Sequence, residues 1–124
     1  MATTKNRTVG SELTTSKNRT VSKLLTTSNV DLYTVPASYE ANIKSIYVNN
    51  KSGSAATFSL DHYDSQTATW HTLADAVSMP NNSLLQITDS LWFYKADKFR
   101  GLASVTDAIT VTFNIEEFYI PTRS

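Results

Sequence analysis

Apolar and polar residues alternate most regularly near the C-terminal end of the chain. Ile109, Val111, Phe113 and Ile115 are separated by Thr110, Thr112 and Asn114. A period of two sends one set to each face of an extended strand. Residues 108–120 are therefore predicted as a strand with one buried and one wetted face. Its apolar face carries neither glycine nor proline, which suits a central position in a sheet, and Pro121 ends it.

Weaker versions of the same pattern occur upstream. VDLYTVP (30–36) is rich in β-formers and stops at Pro36, and ANIKSIYVNN (41–50) closes on the turn-forming NNKSGS (49–54). AATFSLDHY (55–63) places Phe58, Leu60 and His62 on one face. WHTLADAV (70–77), SLLQI (83–87) and SLWFYKA (90–96) follow as short strands, while ADAVSM (74–79) is also compatible with one helical turn. DKFRG (97–101) reads as a basic connection. Six to eight short strands separated by turn signals predict an all-β protein, an antiparallel β-sandwich or jelly-roll-like barrel.

The N-terminal part follows a different rule. KNRTVGSELTTS (5–16) is followed at once by KNRTVSKLLTTS (17–28), and the two match at nine of twelve positions. Twelve of the first 28 residues are Ser or Thr, and apolar residues are few. Such a segment buries too little apolar area to offset the cost of ordering itself. Residues 1–28 are accordingly expected to form an extended polar arm, and 29–124 the sandwich domain. The second copy leads straight into the first strand of the domain. The first is a spare of the same sequence, about 40 Å long when extended, suited to pairing with a sheet edge of a neighbouring subunit. The arm residues expected to meet a partner are Lys5, Arg7, Val9, Leu13, Lys17, Arg19, Val21 and Leu25. A plain duplication that lengthens a linker is the alternative.

Charge sharpens this division. The chain has no net charge, yet residues 1–28 carry five basic residues against Glu12 alone, a net +4, which leaves −4 on the remainder. A basic arm on an acidic body points to docking between proteins. Nucleic acid is not an expected partner, because runs of Lys and Arg are missing. Only Lys95, Lys98 and Arg100, near the aromatics of LWFY, speak for it. No cysteine is present, so disulfides and thiolate metal sites are excluded. No stretch has the roughly 18 apolar residues of a membrane helix. The sequons at Asn6, Asn18, Asn50 and Asn81 are expected by-products of an Asn/Ser/Thr-rich composition.

No enzyme signature emerges. His62 sits in DHYD, but neighbouring residues on a strand face opposite ways, so it reads as a half-buried strand histidine rather than a metal ligand. His71 is the only other histidine, and the three glycines are too few for a phosphate cradle. Glu116 and Glu117 likewise face apart, with Glu117 expected at a frayed strand end. Catalytic residues, cofactors and metals are not expected. Trp92 and Tyr94 share one strand face and Leu91 and Phe93 the other, so one pair is expected in the core and the other at an interface.

From Leu25 to Tyr119 the chain resembles small β-sandwich accessory proteins of tailed-bacteriophage virions. The resemblance rests on LLTTSNVDLYTVPASYEANIKSIYVNNKSGSAATFSL, SLLQITDSLWFYKA and AITVTFNIEEFY; it departs from the family at KADKFRGLASVTDA, where a glycine- and alanine-rich final loop is usual. It implies a non-enzymatic virion protein, made in the host cytoplasm, whose partners are the major capsid protein or other virion proteins and copies of itself. A capsid decoration or cement protein that clamps neighbouring subunits through its arm is the leading expectation. A neck, tail or fibre-attachment component is the alternative within that class. A host-glycan or receptor-binding module using Trp92 and Tyr94 is the rival from another.

Overall fold

The computed structural model of the protein describes residues 16–120. Among them are nine strands: β1 (Ser16–Leu24), β2 (Val30–Thr34), β3 (Tyr39–Asn50), β4 (Ala56–Asp64), β5 (Thr69–Met79), β6 (Ser83–Ile87), β7 (Leu91–Phe93), β8 (Lys98–Ala103) and β9 (Ile109–Tyr119). They form two antiparallel sheets. One runs β1-β9-β3-β6, with β7 also pairing with β3; the other runs β2-β8-β4-β5. This interleaving of early and late strands is the order of a jelly roll, the predicted fold class.

The alternation read from the sequence decides which faces meet. Along β9, Ile109, Val111, Phe113 and Ile115 are all fully buried. They pack with Ile43, Ile46 and Val48 of β3 and, from the second sheet, with Phe58 and Leu60 of β4 and Phe99 of β8. Phe99 stands edge-on to Phe113 with ring centroids 5.3 Å apart, and edge-on to Phe93 at 6.1 Å. Edge-to-face rings fill the space between sheets with favourable quadrupole geometry.

Three expectations change. The basic DKFRG segment is not a connection but most of β8, an inner strand between β2 and β4. Its charges hid the strand, because Lys98 and Arg100 face outward while Phe99 and Gly101 face the core. ADAVSM lies in β5, and no helical turn forms there. Ala76 is instead left-handed (φ 49°) beside a register shift between β4 and β5, and its N–H is taken by Ser59 Oγ at 2.9 Å. That local irregularity breaks the period of two on which the strand reading depends.

The domain boundary moves as well. The arm was expected to end at Ser28, yet β1 lies in the first sheet and pairs with β9 over its whole length. Leu25, which follows it, is fully buried. The sandwich therefore includes the second copy of the repeat and Ser16, the last residue of the first; the rest of the first copy, 5–15, lies outside the described residues. Polar composition misled because an edge strand needs few apolar side chains when its backbone is hydrogen-bonded to a neighbour.

Because Phe113 reaches both sheets, Phe113→Ala is expected to lower unfolding free energy by about 3–5 kcal/mol, measurable by urea denaturation, with the secondary structure retained.

Candidate functional site

The described part of the expected arm meets β9, and each contact has a named cause. Inward-facing residues of β1 alternate with outward ones. Lys17 lies over the Tyr39 ring, 5.7 Å from its centroid. Arg19 Nη2 reaches Glu117 Oε2 at 3.4 Å, and its guanidinium covers the Tyr33 ring at 5.8 Å. Val21, opposite Phe113 in register, packs against the core. Leu25 completes the series. Its N–H donates to Ile109 O at 2.9 Å, and its side chain comes against Gly101 of β8. A Cβ on Gly101 would lie 3.0 Å from a Leu60 methyl and 3.3 Å from one of Leu25, so glycine is what lets Leu25 seat. On the outer face, Thr20 Oγ1 donates to Asn114 at 2.8 Å, and the Ser22 and Thr112 hydroxyls are 2.8 Å apart.

Glu117 corrects a further expectation. It is 3% exposed rather than at a frayed end. Its carboxylate accepts the Tyr33 hydroxyl as well as the Arg19 guanidinium. Burial and the carboxylate hydrogen bond push the Tyr33 phenol well above its ordinary value. Glu116 faces the other way, as strand geometry demands. Hydrogen bonds from Lys44 Nζ (2.9 Å) and Ser16 Oγ (3.0 Å) hold its carboxyl below the usual range. The two glutamates thus brace opposite faces of the β1–β9 pair and do not converge on one site.

Trp92 and Tyr94 are 45% and 49% exposed, whereas Phe93 between them is in the core. The Trp92 ring stacks on Phe118 at 5.3 Å, and its Nε1 donates to Glu40 Oε1 at 3.1 Å. With Tyr119 and Ile120 also exposed, this end of the first sheet presents an aromatic surface. Two of the three basic residues expected beside it, Lys98 and Arg100, lie elsewhere. Arg100 stacks on Trp70 at 3.6 Å and donates from Nε to Asp61 at 3.0 Å, while Lys98 lies over Tyr63 at 5.4 Å. Both belong to the second sheet, so of the basic group expected near the aromatics only Lys95 stays next to Tyr94 in the chain.

His62 is half-buried, with its ring 4.5 Å from that of Phe93 and Nε2 3.3 Å from Asp97 Oδ2. Asp97 is a residue that sequence reasoning missed. Its buried carboxylate accepts from the Ser65 N–H and hydroxyl and from the Tyr94 N–H, at 2.8–3.0 Å, and so locks two turns together. Burial pushes its carboxyl upward, but these hydrogen bonds and that to His62 outweigh it and hold the carboxyl below the ordinary aspartate value. Asn50 plays a similar part, donating to the carbonyls of Ser54, Met79 and Pro80, so its sequon is structural. Asp97 stands in a segment that reads as a loop, and only its partners His62 and Ser65, distant in sequence, reveal its purpose. Among the described residues no group of three His, Cys, Asp or Glu comes together. An open apolar hollow of about 180 Å³ between β5 and β6 is lined by Ile46, Leu60, Leu73 and Leu91, with Asp89 at its rim.

No family model matches the chain. No curated protein matches it in sequence. Solved structures do share its fold. A subunit of Bacillus endospore appendages, described as a novel family of disulfide-linked pili, is 13% identical with a TM-score of 0.53, over 88% of this chain and 89% of that one. A chain of the T13 IBDV viral particle is 7% identical with a TM-score of 0.55, over 85% of this chain but only 31% of its own length. A chain of the acid-stable capsid of Helicobacter pylori bacteriophage KHP30 is 9% identical with a TM-score of 0.51, over 86% and 89%. At such identities the likeness is one of fold.

The Asp97 lock has a defined pH signature. A carboxyl whose value is lowered by folding contributes stability that is fully present above its unfolded value, near 4, and is lost as pH falls through its folded value. Asp97→Asn is therefore expected to lower the melting temperature at pH 7, and the difference from the unaltered protein should shrink as pH is taken below 4.

Proposed function

We propose that this chain is a non-enzymatic structural protein of a phage virion, most simply a capsid decoration or cement protein that binds neighbouring capsid subunits and copies of itself. One observation carries the reading. The stretch Lys17–Val21 at the centre of β1 recurs unchanged as Lys5–Val9, and the structure needs only one copy to complete its own sheet. The spare copy, residues 5–15, is then available to a partner. A rigid sandwich with a short tether suits repeated attachment, because docking of the tether makes docking of the body effectively intramolecular. The fold likeness to a phage capsid chain of matching length supports this setting. A neck, tail or fibre-attachment component fits the same architecture; copy number per particle separates the two, hundreds for a shell coat and tens or fewer for the neck or tail.

Lys17 and Arg19 of the second copy are engaged by Tyr39, Glu117 and Tyr33 of the same chain, and Lys23 donates to the Asp31 carbonyl. Those left for a partner from the proposed set are Lys5 and Arg7, with Val9 and Leu13. Removing residues 1–15 is expected to leave urea denaturation unchanged and to reduce co-sedimentation with particles at least tenfold. Unchanged co-sedimentation would reduce the repeat to a linker.

A second reading, binding of a host glycan or receptor, is favoured by the exposure of Trp92. The two readings part at Trp92→Ala. Loss of glycan-array or cell binding with particle attachment intact supports the receptor module; loss of particle attachment places Trp92 at an interface within the virion.

A further inference from the structure

The structure shows what each position of the repeat does, and so what the spare copy retains. In the register of β1, Lys5 corresponds to Lys17, Arg7 to Arg19, Thr8 to Thr20, Val9 to Val21 and Leu13 to Leu25. These are the side chains that reach Tyr39, Glu117, Asn114 and the core. The identity extends through the corner, where Thr26 O accepts from Ala103 N–H at 2.8 Å and Thr26 Oγ1 accepts from Ser28 N–H; Thr14 and Ser16 stand at the matching places. The three differences, Gly10 for Ser22, Ser11 for Lys23 and Glu12 for Leu24, fall at exposed positions. The copies differ only at exposed positions, where Gly10 and Ser11 give up the Ser22–Thr112 and Lys23–Asp31 hydrogen bonds, and they agree at Val21 and Leu25, which meet the core.

Tether length separates the two copies. Between Leu25 and β2 lie four residues, with Thr26 tied to β8, so the second copy is confined to its own domain. A strand formed by residues 5–16 would be joined to β2 by residues 17–29, which span about 40 Å when extended. Filling its own groove that way would lengthen the closing loop from four residues to about sixteen, at an entropic cost that grows with loop length. Filling the groove of an adjacent copy turns the same residues into a bridge.

We propose that residues 5–16 of one copy enter the groove along β9 of a second copy, in the register of β1, displacing the β1 of the acceptor, with residues 17–29 of the donor as the bridge. The exchange keeps the contacts made by Lys17, Arg19, Thr20, Val21 and Leu25 and gives up the hydrogen bonds of Ser22 and Lys23. Its balance is therefore set by the local concentration of neighbours, and it is promoted where subunits are held side by side. The inference deepens the assembly reading above by naming the acceptor of the spare strand as another copy of this chain.

The absence of cysteine gives a direct test. The Ser22 and Thr112 side chains face each other at disulfide-compatible range, and Gly10 is the register equivalent of Ser22. The full-length double variant Gly10→Cys, Thr112→Cys, oxidised in concentrated solution, is expected to give covalent dimers and a ladder on non-reducing gels. Moving the cysteine one step, Ser11→Cys with Thr112→Cys, should cut that yield about tenfold. Adding Leu13→Asp to the first pair should abolish it, while leaving β1 and thermal melting unaltered. The proposal is overturned by a cross-link confined to single chains, by no cross-link in protein that melts normally, or by a ladder indifferent to register and to Leu13→Asp. Those results leave particle binding by residues 1–15 standing, because that is read in the separate co-sedimentation experiment.

Discussion

Everything in this fold depends on giving β9 a partner along both edges. Its inward side chains from Ile109 to Ile115 are fully buried, and they carry the contact between sheets. A strand with that much apolar surface and an open edge would expose both unpaired backbone groups and the flank of the core. β3 closes one side with a long apolar strand. β1 closes the other with a polar one, which contributes mainly its backbone and two apolar anchors, Val21 and Leu25.

That division of labour explains the odd chemistry of β1. Because it sits at the edge, its stability comes from hydrogen bonding, from the Arg19–Glu117–Tyr33 contact and from the Leu25 seat beside Gly101, rather than from apolar area. The buried Glu117 carboxylate needs its two donors, since an unpartnered buried charge is costly. The recurrence of Lys17–Val21 as Lys5–Val9 is the sequence basis for proposing that the molecule is an assembly component.

Away from that edge, the fold relies on polar side chains that anchor turns. Asp97 and Asn50 each gather several hydrogen bonds from segments far apart in sequence. With glycine scarce, left-handed backbone is taken instead by Ser38, Ala68, Asn82, Ala96 and Asp107. Ala96 stands next to Asp97, whose hydrogen bonds over-determine the turn and hold that conformation. At the aromatic end, Trp92 is held by stacking on Phe118 and by its hydrogen bond to Glu40, while its ring stays exposed.

By itself the sequence determined the all-β class, the inward face of β9, the split of Phe93 from Trp92 and Tyr94, and the opposed directions of Glu116 and Glu117. All of these follow from a period of two, which is local. Tertiary structure alone decided that residues 16–24 belong to the sandwich, that DKFRG is an inner strand, that Glu117 is buried, and that Lys98 and Arg100 lie on the sheet away from Trp92. Each of these is a matter of which strand lies beside which. The pairing partner supplies the hydrogen bonds and the countercharge, and a chain read one residue at a time does not carry the identity of a neighbour about a hundred residues away.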